Sequence, residues 1–101
     1  MVTALLTYYF LQTQNPVNFN ANRAFEDLKA QVAFGVRYPG SEGHLKCRDW
    51  ILKIAKENAD NARLQEFEHD WSQGKKLKMW NVLAEQNWKD AKVRVLLIAH
   101  W

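Results

Sequence analysis

The sequence predicts an all-α fold: a compact bundle of four or five helices with a long helix at the C-terminus. Apolar residues recur at spacings of three and four along most of the chain, the period of a helix with one buried face. The 101 residues are 48% hydrophobic and 25% charged, as in ordinary globular chains. Five Trp, five Phe and three Tyr supply enough large rings for one core. We therefore predict a single helical domain over residues 1–101.

The first segment, from Val2 to Gln14, fits two interpretations because its apolar residues are nearly continuous. We favour a helix. The alternative is a strand that pairs with a C-terminal strand over residues 93–101, which would make the fold α+β. Asn15-Pro16 ends the element in either case, since proline disfavours the helical conformation of the residue before it.

Two amphipathic helices are expected next. One runs from Ala21 to Phe34, with Asn20 as its N-cap. The other begins near His44, after a glycine-rich loop, and one of its sides carries Cys47, Trp50, Ile51, Ile54 and Ala55. This apolar stripe loses its phase near Asn58, which predicts a kink or a new helix capped by Asp60.

The most regular pattern follows a break at Ser72-Gln73-Gly74. It consists of Leu77, Trp80, Ala84, Trp88, Ala91, Val95 and Ile98. At ~100° per residue these positions fall within a sector of roughly 80°, which predicts a helix from about Lys75 to Ala99. Its last turns are apolar on most sides, so we expect them to be buried or to form an interface. The indoles expected in or near the core are those of Trp50, Trp71, Trp80 and Trp88.

Charge and cysteine content restrict the class of protein. The formal net charge is +3, and no stretch approaches a run of five or six like charges. Cys47 is the single cysteine, so we expect no intramolecular disulfide and favour the cytoplasm. No stretch reaches eighteen apolar residues, and we therefore expect no membrane insertion.

The sequence offers little to hold a metal or a cofactor. Glu66 and His69 have the Glu-x-x-His spacing of di-metal helical proteins, but such a site needs a second pair and two further carboxylates. Glycine-rich phosphate-binding loops are also missing. We therefore predict neither a metal site nor a cofactor.

Protein binding is the function that the sequence favours, in a small non-enzymatic or regulatory protein. Trp and Tyr are common interface anchors, and a chain this short cannot easily bury thirteen aromatic side chains. The predicted contact residues are Leu96, Leu97 and Trp101. A homodimer through the last helix would bury all three, and another protein is the other possible partner.

Nucleic-acid binding is the first alternative. Basic residues that could neutralise phosphates are interleaved with Trp80 and Trp88, whose rings could stack on bases. The residues concerned are Lys75, Lys76, Lys78, Lys89 and Lys92. We favour an ordinary solvated helix face, because both indoles lie on the predicted core stripe.

A ribonuclease is the second alternative. Arg63 and His69 have an Arg-x5-His spacing that resembles the active-site signature of the HEPN family of small all-helical ribonucleases. The resemblance implies that Arg63 stabilises phosphate charge and that His69 acts as acid or base, usually across a dimer. It covers these seven residues, and Arg94 and His100 repeat the spacing. Leu64 and Val95 stand where the family usually has a polar residue.

Overall fold

The computed structural model describes residues 18–101 and contains two helices followed by a two-stranded antiparallel sheet. Helix α1 spans Ala21–Ala33 and helix α2 spans Glu42–Asn58. Strand β1 spans Asn61–Asp70, and a 3-10 turn at Ser72–Gly74 leads into strand β2, Lys76–Glu85. The fold is a small α+β fold, so the prediction of an all-α bundle of four or five helices is wrong.

Helix α1 forms where the sequence predicts it. The Asn20 side chain accepts a hydrogen bond from the Arg23 backbone N–H at 2.9 Å, which confirms Asn20 as the N-cap. The helix ends beside Gly35, whose φ of 78° lies in the left-handed region that glycine adopts without strain. Its apolar side chains remain largely open to solvent: Phe25 is 58% exposed and Val32 is 62% exposed.

Helix α2 also confirms a predicted helix, with its first residue at Glu42 instead of near His44. The Ser41 hydroxyl accepts a hydrogen bond from the His44 N–H at 3.2 Å and donates one to the Val36 carbonyl at 3.0 Å. Ser41 thus caps the helix and ties the preceding loop to it. The helix ends at Asn58, where the apolar stripe loses its phase.

A β-hairpin stands where two further helices were predicted. Residues 61–70 form β1 and not a helix capped by Asp60, and the predicted helix from Lys75 to Ala99 is wrong because residues 76–85 form β2. Asp60 instead accepts a hydrogen bond from the Asn87 backbone N–H at 2.7 Å and so closes the open end of the hairpin. The spacings of three and four in this region therefore do not define one buried face, since side chains alternate between the two faces of a strand.

Cross-strand side-chain pairs hold the hairpin in register. Glu66 lies opposite Trp80 and Glu68 lies opposite Lys78. Diagonal ion pairs connect Lys78 to Glu66 at 2.9 Å and Lys76 to Glu68 at 3.4 Å. Opposite charges on facing strands favour this register over one that would bring like charges together.

The core of the described chain is small and lies between α2 and one face of the hairpin. Trp80, Val82 and Ala84 share that face, and its Val82 and Ala84 line a cleft together with Trp50, Ile51, Ile54 and Ala55 of α2. Among residues 18–101, the buried positions are Ser41, Gly43, His44 and Cys47.

Two of the four indoles expected in the core lie outside it. Trp71 is 58% exposed beside the hairpin turn, and Trp88 is 50% exposed beyond the end of β2, so the prediction is wrong for both. Trp50 and Trp80 are half-buried on either side of the contact between α2 and the sheet. The helix that was to carry Trp80 and Trp88 on one buried side is absent from this region.

The alternative prediction of an α+β fold gives the right class, but its C-terminal strand is wrong. The sheet is built from residues 61–70 and 76–85, while residues 93–101 form neither helix nor strand. The other proposed strand, residues 2–14, lies outside the described residues. Within the part of the chain that is described, neither helix combines the length and apolar character needed to cross a membrane.

Candidate functional site

The most exposed apolar surface of the described chain is formed by residues 93–98, which we call the edge segment. Its side chains Val93, Val95, Leu96, Leu97 and Ile98 are 76–89% exposed. Single exposed apolar residues are normal on a protein surface, but five within six residues form a contiguous patch. Such patches mark contact sites for other molecules.

The edge segment lies beside the free edge of β2. Leu96, Leu97, Ile98 and Ala99 line one cleft, of about 280 Å³, together with Asn81, Val82 and Leu83. A neighbouring cleft of about 230 Å³ lies between residues 98–101 and Met79, Trp80 and Asn81. Within residues 18–101, residues 93–98 make no backbone–backbone hydrogen bond.

Trp101 fixes the end of this stretch to the fold. Its ring stacks on His44 with centroids 4.9 Å apart and an interplanar angle of 10°. On its other flank His44 meets Trp80, at 5.8 Å between ring centroids. The structure therefore separates the three predicted contact residues: Leu96 and Leu97 are 80% and 89% exposed, whereas Trp101 is half-buried.

Trp80 is held on two sides. The Arg48 guanidinium lies 4.5 Å from its ring centroid, and its Nε1–H donates a hydrogen bond to Glu66 at 3.0 Å. Glu66 has a pKa below its ordinary value because of its hydrogen bonds with Lys78 and then with Trp80. This arrangement orients the indole that supports His44.

His44 is 6% exposed, and its Nδ1 accepts a hydrogen bond from the Gly40 N–H at 3.3 Å. Burial, followed by the nearby Arg48 charge, lowers the pKa of His44 below 6.5. The ring is therefore neutral at pH 7, with its proton on Nε2. The neutral His44 ring contacts the indole of Trp80 and provides the surface on which Trp101 stacks.

Cys47 is a core side chain, as its place on the apolar side of the predicted helix indicated. It is fully buried, and Arg37 Nη1 approaches its Sγ at 3.9 Å. The same guanidinium nitrogen donates a hydrogen bond to the Gln31 carbonyl at 2.7 Å. Cys47 is thus enclosed on α2 beside Arg37 of the loop that follows α1 and is not presented to solvent.

The lysines of the nucleic-acid alternative are not brought together. Lys76 and Lys78 lie on one face of the hairpin and are paired with Glu68 and Glu66. Hydrogen bonding to Glu66 raises the pKa of Lys78. Lys75 lies at the hairpin turn, while Lys89 and Lys92 follow the opposite end of β2, ~30 Å away for a ten-residue strand.

The residues of the ribonuclease alternative are also apart. Arg63 and His69 lie on one face of β1, six residues and therefore ~20 Å from each other along the strand. His69 packs near Trp71, with ring centroids 6.4 Å apart. The all-helical fold that the HEPN resemblance implies is contradicted, because this stretch is a β-strand.

Glu66 and His69, the Glu-x-x-His pair, point to opposite faces of β1 because they are three positions apart on a strand. Among the described residues, no cluster of three or more His, Cys, Asp or Glu side chains is arranged to hold a metal ion. Glu66 is already engaged by Lys78 and Trp80.

Sequence reasoning missed the contribution of His44 to this site. Its position on the helix carries no signal of contact with Trp80 or Trp101, because these residues are distant in sequence and meet only through the hairpin. Val93, Val95 and Ile98 were recognised as apolar but were assigned to a helix. Comparison of the chain with protein-family models, with curated proteins and with solved structures found no match in any of the three sets.

Proposed function

We propose that this chain is a small, non-enzymatic protein–protein interaction domain and that the edge segment is its contact surface. The observation that carries the proposal is the exposure of Val93, Val95, Leu96, Leu97 and Ile98, at 76–89%. Full burial of such a side chain is favourable by ~1.5–3 kcal/mol. Covering all five therefore supplies on the order of 10 kcal/mol before the entropic cost of association is subtracted.

The three predicted contact residues have different roles in this proposal. Leu96 and Leu97 present their side chains to the partner. Trp101 anchors the chain end on His44, which keeps the edge segment beside β2 and reduces the entropy lost on binding.

The non-enzymatic part of the proposal is supported by the burial of Cys47 and of His44. The Cys47 thiol is fully buried, and the His44 ring is buried with its Nδ1 engaged by Gly40. The same buried, unpaired cysteine supports location in a reducing compartment, which we propose to be the cytoplasm. Nucleic-acid binding and RNA cleavage have less support, because their candidate residues are paired or far apart.

Site-specific photo-crosslinking in cells tests the proposed function. A photoreactive amino acid replaces Leu97 in one variant and Lys53 in the control, since the Lys53 side chain is 73% exposed on the remote side of α2. We expect polypeptide adducts from position 97, self or otherwise, well above those from position 53. Equal yields at the two positions would overturn the proposal.

A further inference from the structure

We propose, building on the protein-binding function above, that the partner of the edge segment is a second copy of the chain. Residues 94–98 of the two copies pair as antiparallel strands about a two-fold axis at Leu96. The product is a two-stranded antiparallel ribbon that joins the two copies.

The backbone of the edge segment is available for this pairing. Its six N–H and C=O sets make no backbone–backbone hydrogen bond within the described chain. Val and Ile are frequent in strands, and a row of open backbone groups is a template for strand addition. Antiparallel pairing would satisfy, in both copies, the half of these groups that point toward the partner strand.

Apart from Arg94, the edge segment lacks the charged side chains and prolines that usually prevent such pairing. Exposed sheet edges are commonly guarded by charged side chains or by proline, and the edge segment contains one charge, Arg94, and no proline. The Arg94 guanidinium folds back over Trp88, 4.8 Å from the ring centroid. It also donates hydrogen bonds to the Trp88 carbonyl at 3.2 and 2.9 Å. The remaining length of the segment therefore carries only apolar side chains.

Charge placement favours a second copy as the occupant. Leu96 is the middle of the five exposed apolar residues, and an axis there places Val95 opposite Leu97 and Arg94 opposite Ile98. The two Arg94 residues are then four positions apart, ~14 Å along the strands, beyond the ~8 Å screening length of physiological salt. The segment therefore meets its own copy without opposing like charges.

The apolar area agrees with a dimer of ordinary size. At ~25 cal/mol per Å², a side chain worth ~1.5–3 kcal/mol buries about 60–120 Å². Five such side chains at about four-fifths exposure offer roughly 250–500 Å² of apolar surface. A standard interface buries ~800 Å² per partner, of which a little over half is apolar. The upper half of the ~250–500 Å² range approaches the apolar area of a standard interface. The backbone atoms of the paired strands add further buried area.

Disulfide scanning tests the register. Leu96→Cys places two thiols directly across the axis, at the ~4.5–5.5 Å Cα separation of opposed residues, within the range that a disulfide spans. Val95→Cys and Leu97→Cys each face a different residue. The unmodified chain, whose single thiol is the buried Cys47, is the blank. We expect the Leu96→Cys dimer to form at least tenfold faster than the other two; equal rates would overturn the proposal.

A proline substitution tests the backbone hydrogen bonds. In the proposed register Leu96 faces its copy as a non-hydrogen-bonded pair, so the Val95 N–H donates to Leu97 of the other copy. Val95→Pro removes this N–H, and the matched control Val95→Ala shortens the side chain but keeps the N–H. By light scattering over a concentration series, Val95→Pro should raise the dimer dissociation constant at least tenfold more than Val95→Ala. Equal effects would contradict strand pairing.

These outcomes separate this proposal from the proposed function. If photo-crosslinking at position 97 captures only other proteins and the chain itself is monomeric, strand pairing between copies fails while protein binding stands. If position 97 yields no specific adduct and the chain is monomeric, both fail. Self-association together with a dominant Leu96→Cys crosslink supports both.

Discussion

Gly43 lies in the first turn of α2 at the closest approach of the preceding loop, and Gly43→Ala tests that approach. A Cβ atom built at this position would collide with the carbonyl oxygens of Val36 and Phe34. Both obstacles are backbone atoms, so no side-chain rotation can relieve the contact. The loop would have to move, and the hydrogen bond from Ser41 to the Val36 carbonyl would weaken with it.

The magnitude follows from three contributions. Replacing glycine by alanine within a helix stabilises it by ~1 kcal/mol. Forcing an extra carbon into a tightly packed position costs ~1–3 kcal/mol, and losing one hydrogen bond costs ~1 kcal/mol. The net effect is a decrease of ~2 kcal/mol in the free energy of unfolding, which lowers the melting temperature of a domain of this size by ~8–16 °C.

Thermal and urea denaturation measured by circular dichroism would check this value. Lys56→Ala is the matched control, because Lys56 is an exposed residue of the same helix, and we expect its substitution to change stability by less than ~0.5 kcal/mol. If Gly43→Ala stabilised the protein by ~1 kcal/mol, as at an open helical position, the close packing of residues 34–36 on α2 would be refuted.

Three further predictions concern the described contacts. Burial and then the Arg48 charge lower the pKa of His44, so as pH falls the unfolded chain binds a proton at this residue before the folded chain does. The free energy of unfolding should therefore fall as pH drops below about 6.5. Urea titrations from pH 7.5 to 5 measure this pH dependence, and His44→Gln should reduce it. Trp101→Ala should remove the ring stacked on His44 and lower the NMR backbone order parameters of residues 96–100, whereas Trp101→Phe should retain most of the order; equal order parameters in both variants would argue against the anchor. Asp60→Ala should cost ~1 kcal/mol in thermal unfolding by removing the acceptor of the Asn87 N–H, and a loss as large for Asp60→Asn, which keeps an acceptor, would contradict this cause.

Both helices could be predicted from sequence because their signals are local. Asn20 caps α1 through the residue three positions later, and the stripe of α2 is continuous from Cys47 to Ala55. Capping and amphipathic spacing depend on neighbours within one or two turns. Tertiary contacts therefore had little influence on these assignments.

The hairpin could not be predicted because its signals are not local. The apolar residues of 75–99 are dense enough to satisfy a helical period, and Leu77, Trp80 and Ala84 happen to match it. Their actual environment is decided by pairing with β1, whose residues lie 6–24 positions earlier in the chain. Strand stability depends on such cross-strand neighbours more than on intrinsic preference. The turn residues Ser72-Gln73-Gly74 marked the break but not the reversal of direction.

For the same reason, the composition of the candidate site could be predicted from the sequence but its geometry could not. Composition alone indicated that the residues after Val93 need cover, and Leu96 and Leu97 are indeed exposed. The position of residues 96–99 beside β2 and the stacking of Trp101 on His44 depend on the hairpin. The wrongly predicted helix therefore gave the wrong geometry for the site. The apolar character of residues 93–98 could still be predicted, because it depends on composition alone.

Because Cys47 is buried, chemical labelling of its thiol reports opening motions of the fold. This single thiol is fully enclosed, so a reagent that modifies cysteine can reach it only when α2 separates from its surroundings. The labelling rate at increasing reagent concentration therefore measures how often the core opens, without any engineered probe. The labelling rate for a dimer should be slower than that for a monomer if association restrains the helix, so the same thiol also reports on assembly.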